Sequence, residues 1–273
     1  MFIKNYEIRM GEGRFAAVSF GSGSENLVII PGLEDGVSSV RGKALAGLAV
    51  FAPYARKFRV TLISRDDCLK SGCTTADMAR DLAHCMQALA IEKAHVMGVS
   101  QGGMIAQHLA ADHPEMVGKL VLTSTAPDCS ELARENIQRW ISFARMGSYL
   151  GLIMDTTEKA HPEKYLKRLR PLYPYLAPRF KKMNTERFAA MAEACLTHDT
   201  EDKLDRIQSP TLIICGGEDR ILGVDGSHKL HRYIEDSILK IYPEQGHALY
   251  EDEPDYKKAV LNFLCDEKNL SQD

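Results

Sequence analysis

Apolar and polar positions alternate at the start of the chain and then gather into runs. Residues 2–8 and 14–20 alternate, and Met10-Gly11-Glu12-Gly13 between them reads as the turn of a hairpin. Leu27-Val28-Ile29-Ile30 is apolar throughout, the pattern of a strand covered on both faces. Segments 59–64, 95–99, 120–124, 211–215 and 238–242 also read as strands. Between them the period lengthens. Over 74–90, Met78, Leu82, Met86 and Leu89 share one helical face, and Thr74 with Asp77 resembles a capping box. Further helices are expected at 101–111, near 226–234, and after Pro254, a residue suited to a first helical turn because its missing N–H would have no partner there. Such alternation implies a parallel sheet with right-handed crossovers. The expected fold class is α/β, a mostly parallel central sheet flanked by helices.

Residues 128–205 interrupt the alternation. They lack strand runs and read as helical, broken by Pro171, Pro174 and Pro178. The segment is too long for a structureless loop. It is expected to be an inserted helical cap, with a core formed by 1–127 and 206–273. Within it, residues 159–187 carry nine Lys and Arg against Glu163 and Glu186. A solvated helix surface accounts for that excess. The sharper expectation is a cap that draws in anionic substrate, although Glu34 and Asp35 pull the other way.

Gly98-Val99-Ser100-Gln101-Gly102 matches G-x-S-x-G, directly after an apolar strand and directly before a helix. A nucleophile on so sharp a turn needs small neighbours, which Gly98 and Gly102 supply. Downstream, Asp219 follows strand 211–215 and His247 follows strand 238–242. Ligand sites in open α/β sheets gather at the carboxyl ends of the strands, so Ser100, Asp219 and His247 are expected at one edge. Asp128, after strand 120–124, is the reserve candidate for the acid. Ile30-Pro31-Gly32-Leu33 ends another strand, and its turn can aim the Leu33 N–H at the same place. With the N–H of Gln101 it would form an oxyanion hole. Singly, these residues could be an N-capping serine, a turn-forming aspartate and a loop histidine; their joint placement points to nucleophilic catalysis.

The motifs carry a resemblance. Gly98-Val99-Ser100-Gln101-Gly102-Gly103, Gly216-Gly217-Glu218-Asp219 and Gly246-His247 resemble the nucleophile elbow, acid loop and histidine loop of the α/β-hydrolase fold superfamily. Residues 100–122, with Gly103-Met104-Ile105-Ala106 and His113-Pro114-Glu115, are most similar to its serine esterase and lactonase branch, including 3-oxoadipate enol-lactonase-like enzymes. The resemblance implies a cofactor-independent serine hydrolase of a small carboxylic ester or lactone. Thioester, amide and carbon–carbon bond hydrolysis stay open, as does a receptor-like protein with slow turnover. Pro31 departs from the pattern, since many relatives carry His before the oxyanion glycine. A nucleophilic Ser rather than Asp argues against haloalkane dehalogenase and epoxide hydrolase activity.

Composition narrows the rest. The chain has 273 residues with 34 Lys and Arg against 37 Asp and Glu, a formal charge of −3, which argues against a dedicated nucleic-acid binder. No apolar run approaches the ~20 residues of a membrane helix, and the first residues do not read as a signal peptide. Seven scattered cysteines without a CxxC pair read as reduced thiols, and a cytoplasmic location is expected. Residues 36–44 miss the P-loop spacing by one and place Ala44 where Ser or Thr is needed. Gly21-Ser22-Gly23 lacks the third glycine of a dinucleotide site. His228 and His231 lack partners spaced for a metal. The expectation is a small-molecule substrate with no cofactor, metal, nucleic acid or membrane partner, in a monomer or homodimer.

Overall fold

Strands β1 (Phe2–Met10) and β2 (Gly13–Gly21) form the expected antiparallel hairpin. The computed structural model describes residues 2–175 and 183–265. The remaining strands are β3 (Glu25–Ile30), β4 (Phe58–Ile63), β5 (Ala94–Val99), β6 (Val117–Thr123), β7 (Thr211–Gly216) and β8 (Ser237–Tyr242). They make one eight-stranded sheet in the order β1-β2-β4-β3-β5-β6-β7-β8, antiparallel as far as β4 and parallel from there on.

Helices cover both faces. In chain order they are α1 (Ala44–Val50), α2 (Ala52–Ala55), α3 (Thr75–Ala88), α4 (Gln101–Asp112), α5 (Glu131–Arg145) and α6 (Tyr149–Ala160). Then follow α7 (Glu163–Leu169), α8 (Thr185–Leu196), α9 (Asp225–Tyr233), α10 (Leu249–Asp252) and α11 (Tyr256–Cys265). One apolar layer joins Val28 and Ile30 of β3 to Met78, Leu82 and Met86 of α3, Ile105 and Leu109 of α4, and Leu230 of α9. The other joins Leu27 and Ile29 to Tyr54 of α2 and to Tyr256, Val260 and Phe263 of α11. Burial on both sides is why β3 reads as an unbroken apolar run. At the start of α3 the capping box is formed: Thr74 N–H donates to Asp77 Oδ2 (3.0 Å), and Asp77 N–H donates to Thr74 Oγ1 (3.1 Å).

Two short helices were not anticipated, and one local expectation is corrected. Helices α1 and α2 stand in a stretch that showed no periodic pattern, because Ala44-Leu45-Ala46-Gly47-Leu48-Ala49-Val50 has no polar face to mark a helix. Pro254 lies in a turn ahead of α11, whose first residue is Tyr256, so it ends one segment rather than opening the next.

Helices α5 to α8 all fall between β6 and β7. The ends of that segment meet in a β-bridge between Asp128 and Asp199, beside a Thr200 N–H to Pro127 carbonyl bond of 2.8 Å. Trp140, Ile141, Leu152 and Phe188 from these helices pack with Met104 of α4. Three of the basic side chains are answered by carboxylates. Arg170 binds Glu158 (2.7 Å) and Glu163 (2.6 Å), Lys159 binds Asp155 (2.8 Å), and Arg187 turns inward to Asp35 (2.6 Å). Asp155 and Glu158 lie just outside the 159–187 window that showed the excess. Pro178, Arg179, Lys181 and Lys182 lie outside the described residues. Among the described residues no helix is long and apolar enough to cross a membrane.

Candidate active site

Ser100 stands at the junction of β5 and α4 with φ 52° and ψ −120°, a conformation costly for any residue with a Cβ. The turn closes because its neighbours have none. A Cβ on Gly98 would stand 2.4 Å from the Gly102 carbonyl oxygen, and one on Gly102 would stand 2.1 Å from that of Ile30. Hydrogen bonds fix the strained residue on both sides: Ser100 N–H donates to Thr123 O (2.9 Å), and Thr125 Oγ1 donates to Ser100 O (2.9 Å). Such strain held by surrounding structure is a mark of functional positions.

His247 and Asp219 arrive from the ends of β8 and β7. His247 Nδ1 and Asp219 Oδ2 are 2.7 Å apart, and both side chains are buried. The other carboxylate oxygen, Oδ1, accepts the N–H groups of Ile221 (2.8 Å) and Leu222 (3.0 Å). Burial alone would raise the Asp219 carboxyl. The His247 ring and these two N–H groups outweigh it and hold Asp219 below the ordinary aspartate range. Ser124 Oγ anchors the histidine loop by donating to the His247 carbonyl (2.8 Å). Asp128, the reserve acid, takes no part in this arrangement and accepts from Lys229 Nζ (3.0 Å).

Leu33 and Gln101 each open a helical turn, where the backbone N–H has no partner within the helix. A side chain the motifs did not reveal connects them. Arg65, buried just past the end of β4, donates from Nη1 to Pro31 O (2.7 Å) and from Nη2 to both Gly32 O and Gln101 Oε1 (3.1 Å to the latter). Gln101 Nε2 in turn reaches the Met191 carbonyl and Cys195 Sγ on α8. Asp35 completes the brace. It accepts from Arg65 N–H (3.1 Å) and from Arg187 Nη2 of α8 (2.6 Å). Burial would push the Asp35 carboxyl up, but the two guanidinium groups hold it below the usual range. The only sequence signal for Arg65 was its position, a charged residue at the carboxyl end of a strand neighbouring β3.

Ser100 and His247 open onto one cavity of about 380 Å³, walled by Leu33, Trp140, Leu152, Phe188, Ile221 and Tyr250 among others. Its described lining contains no Lys or Arg, and its one carboxyl is Glu34. Glu34 Oε1 accepts the Gly32 N–H (2.9 Å). The His pair of α9 lies elsewhere, with His231 Nδ1 on Ser237 Oγ (2.9 Å).

Comparison with known proteins agrees with this architecture. A family model described as alpha/beta hydrolase fold matches residues 25–150. A Pseudomonas putida 2-hydroxy-6-oxononadienedioate/2-hydroxy-6-oxononatrienedioate hydrolase is 27% identical over 263 residues, covering 89% of this chain and 89% of its own. Among solved structures, MGS-M2, an alpha/beta hydrolase enzyme from a Medee basin deep-sea metagenome library, superimposes with a TM-score of 0.85 at 21% identity, over 98% of this chain and 100% of its own. The enol-lactonase from Burkholderia xenovorans LB400 gives 0.81 at 19%, over 96% and 100%. In sheet order, strand-to-helix turn and matched sequence, the chain has the α/β-hydrolase fold and is similar to enzymes that share it.

Proposed function

We propose that the chain is a serine hydrolase that cleaves a small carboxylic ester or lactone through an acyl-enzyme on Ser100. The observation that carries this reading is the meeting, in one cavity, of a serine on a strained strand-to-helix turn with a histidine bound to a buried aspartate. His247 takes the Ser100 proton as Oγ bonds to the substrate carbonyl carbon. It then returns that proton to the departing alcohol oxygen as the tetrahedral intermediate collapses. Water, deprotonated by the same imidazole, breaks the acyl–oxygen bond and frees Ser100. Asp219 holds the imidazole in the tautomer with Nδ1–H and stabilises the imidazolium. Ser100 and His247 share no direct hydrogen bond here; in substrate-free sites such contacts are often long and tighten on binding.

The N–H groups of Leu33 and Gln101 receive the oxyanion, and Arg65 is their positioning residue. A trans peptide points its C=O and N–H in opposite directions. Fixing the Gly32 carbonyl on Arg65 therefore fixes which way the Leu33 N–H points. This brace also accounts for a loop that works with Pro31 in place of histidine. Residues 128–205 act as the cap over a core of 1–127 and 206–273.

The name of the Pseudomonas relative's substrate denotes a dicarboxylate, whereas the described cavity lining offers no cation to receive one. That contrast favours a less charged ester or lactone. Labelling with a fluorophosphonate tests the reading: modification confined to Ser100, together with sustained turnover of a simple ester, supports it. Labelling at another serine contradicts it, and a single burst without turnover favours the receptor-like alternative.

A further inference from the structure

Beside the Ser100 cavity lies a second one of about 510 Å³, and the two share Glu34, Ser38 and Tyr250. Glu34 and Ser38 both present accessible surface, and both line the two cavities. The second cavity runs under α1 and α2 along the sheet, lined by apolar side chains such as Ile29, Val40, Val50, Phe51, Leu62 and Met97. Its size alone is that of a small-molecule site. Tyr54, in its wall, is buried with no partner for its hydroxyl.

We propose that the second cavity receives the hydrocarbon chain of the substrate, so that the preferred ester bears an uncharged acyl group of medium length reaching from Ser100 past Tyr250 into the core. This deepens the serine hydrolase reading and rests on it. Charge sets the class. Glu34 lines both cavities and Glu251 lines the second, and burial pushes both carboxyls up. Asp35 is already answered by Arg65 and Arg187, and Lys257 donates to the Val50 carbonyl. An acyl chain ending in a carboxylate would meet two acids, and the one described lining cation without a carboxylate partner, Lys257, stands at the exposed rim beside Val50. A neutral chain meets apolar wall.

Two measurements test this, one independent of turnover. The chain's single tryptophan, Trp140, lines the Ser100 cavity and reports binding there. Titrating Ser100→Ala protein with methyl octanoate, methyl acetate and monomethyl suberate, followed by Trp140 fluorescence, is expected to show octanoate bound about tenfold or more tighter than either of the others. Equal affinity for octanoate and acetate overturns the chain-binding cavity; equal affinity for octanoate and suberate overturns the charge selection. With active protein, Val50→Trp, which fills the second cavity from its exposed rim, is expected to collapse the octanoate-to-acetate ratio of kcat/KM. An unchanged ratio overturns the proposal. If titration succeeds while no ester is turned over by the native chain, the hydrolase reading fails and the binding cavity stands.

Discussion

The carbonyl oxygen of Gly32 is held by the guanidinium of Arg65, and the same guanidinium reaches the side chain of Gln101. One buried cation therefore ties together the two backbone turns proposed to supply oxyanion donors. Arg65 is in turn oriented by Asp35, which Arg187 links to helix α8. The Ser100 turn and the oxyanion turn are thus braced to each other and to the helices above them by a single buried charge cluster.

From that brace, replacing Arg65 is expected to lower kcat more than it raises KM. Losing one oxyanion donor costs roughly 2.7–4 kcal/mol of barrier lowering, about 10²–10³ in rate, and a misaimed Leu33 N–H should approach that loss. Arg65→Met leaves Asp35 with less compensation, so the double variant Arg65→Met/Asp35→Asn separates folding from catalysis. Steady-state kinetics on a simple ester read the split. A pure rise in KM would remove Arg65 from the positioning role.

Asp219→Asn is expected to lower kcat by up to ~10⁴-fold by favouring the wrong imidazole tautomer, the size seen for the equivalent change in serine proteases. Asp128→Asn, which disturbs only an ion pair with Lys229, should leave kcat within about twofold, as expected for a surface pair. Side-by-side turnover measurements decide it, and the reverse ranking would move the acid to Asp128.

The Asp35–Arg187 contact predicts a pH dependence of stability. The Asp35 carboxyl is held below its ordinary range. Its contribution is therefore fully present above the unfolded value of about 3.9 and is lost as pH falls from there through the lower folded value. Denaturant melts from pH 6 down to about pH 2 should show that part of the decline missing in Asp35→Asn. Because breaking one side of a buried pair costs about 3–5 kcal/mol, the variant should also be less stable at pH 6. Parallel stability curves for the two proteins would assign the acid sensitivity to other groups.

Much of this architecture is legible in the sequence. The hairpin, the unbroken apolar run of β3 and the α3 capping box follow from local pattern and short-range chemistry, so one segment at a time is enough to see them. Ser100, Asp219 and His247 could be placed at one sheet edge because strand ends and glycines mark their loops, and the structure puts Asp219 and His247 2.7 Å apart. Helices α1 and α2 were hidden because a helix without a polar face has no period to read. Arg65 was hidden for another reason: its partners Pro31, Gly32 and Gln101 are joined to it only by folding, and no spacing announces them. The partners of Lys159 and Arg170 were hidden by the borders of the basic stretch, because Asp155 and Glu158 lie just upstream of it.

The central claim is a covalent acyl group on Ser100. Mixing the protein with excess p-nitrophenyl acetate, quenching in acid within the first turnovers and measuring intact and peptide masses tests it directly. The account predicts one acetyl group per chain, located on the peptide containing Ser100 and absent from Ser100→Ala. Sustained hydrolysis with Ser100 unmodified at every quench time, or an acetyl group on a different side chain, would contradict it.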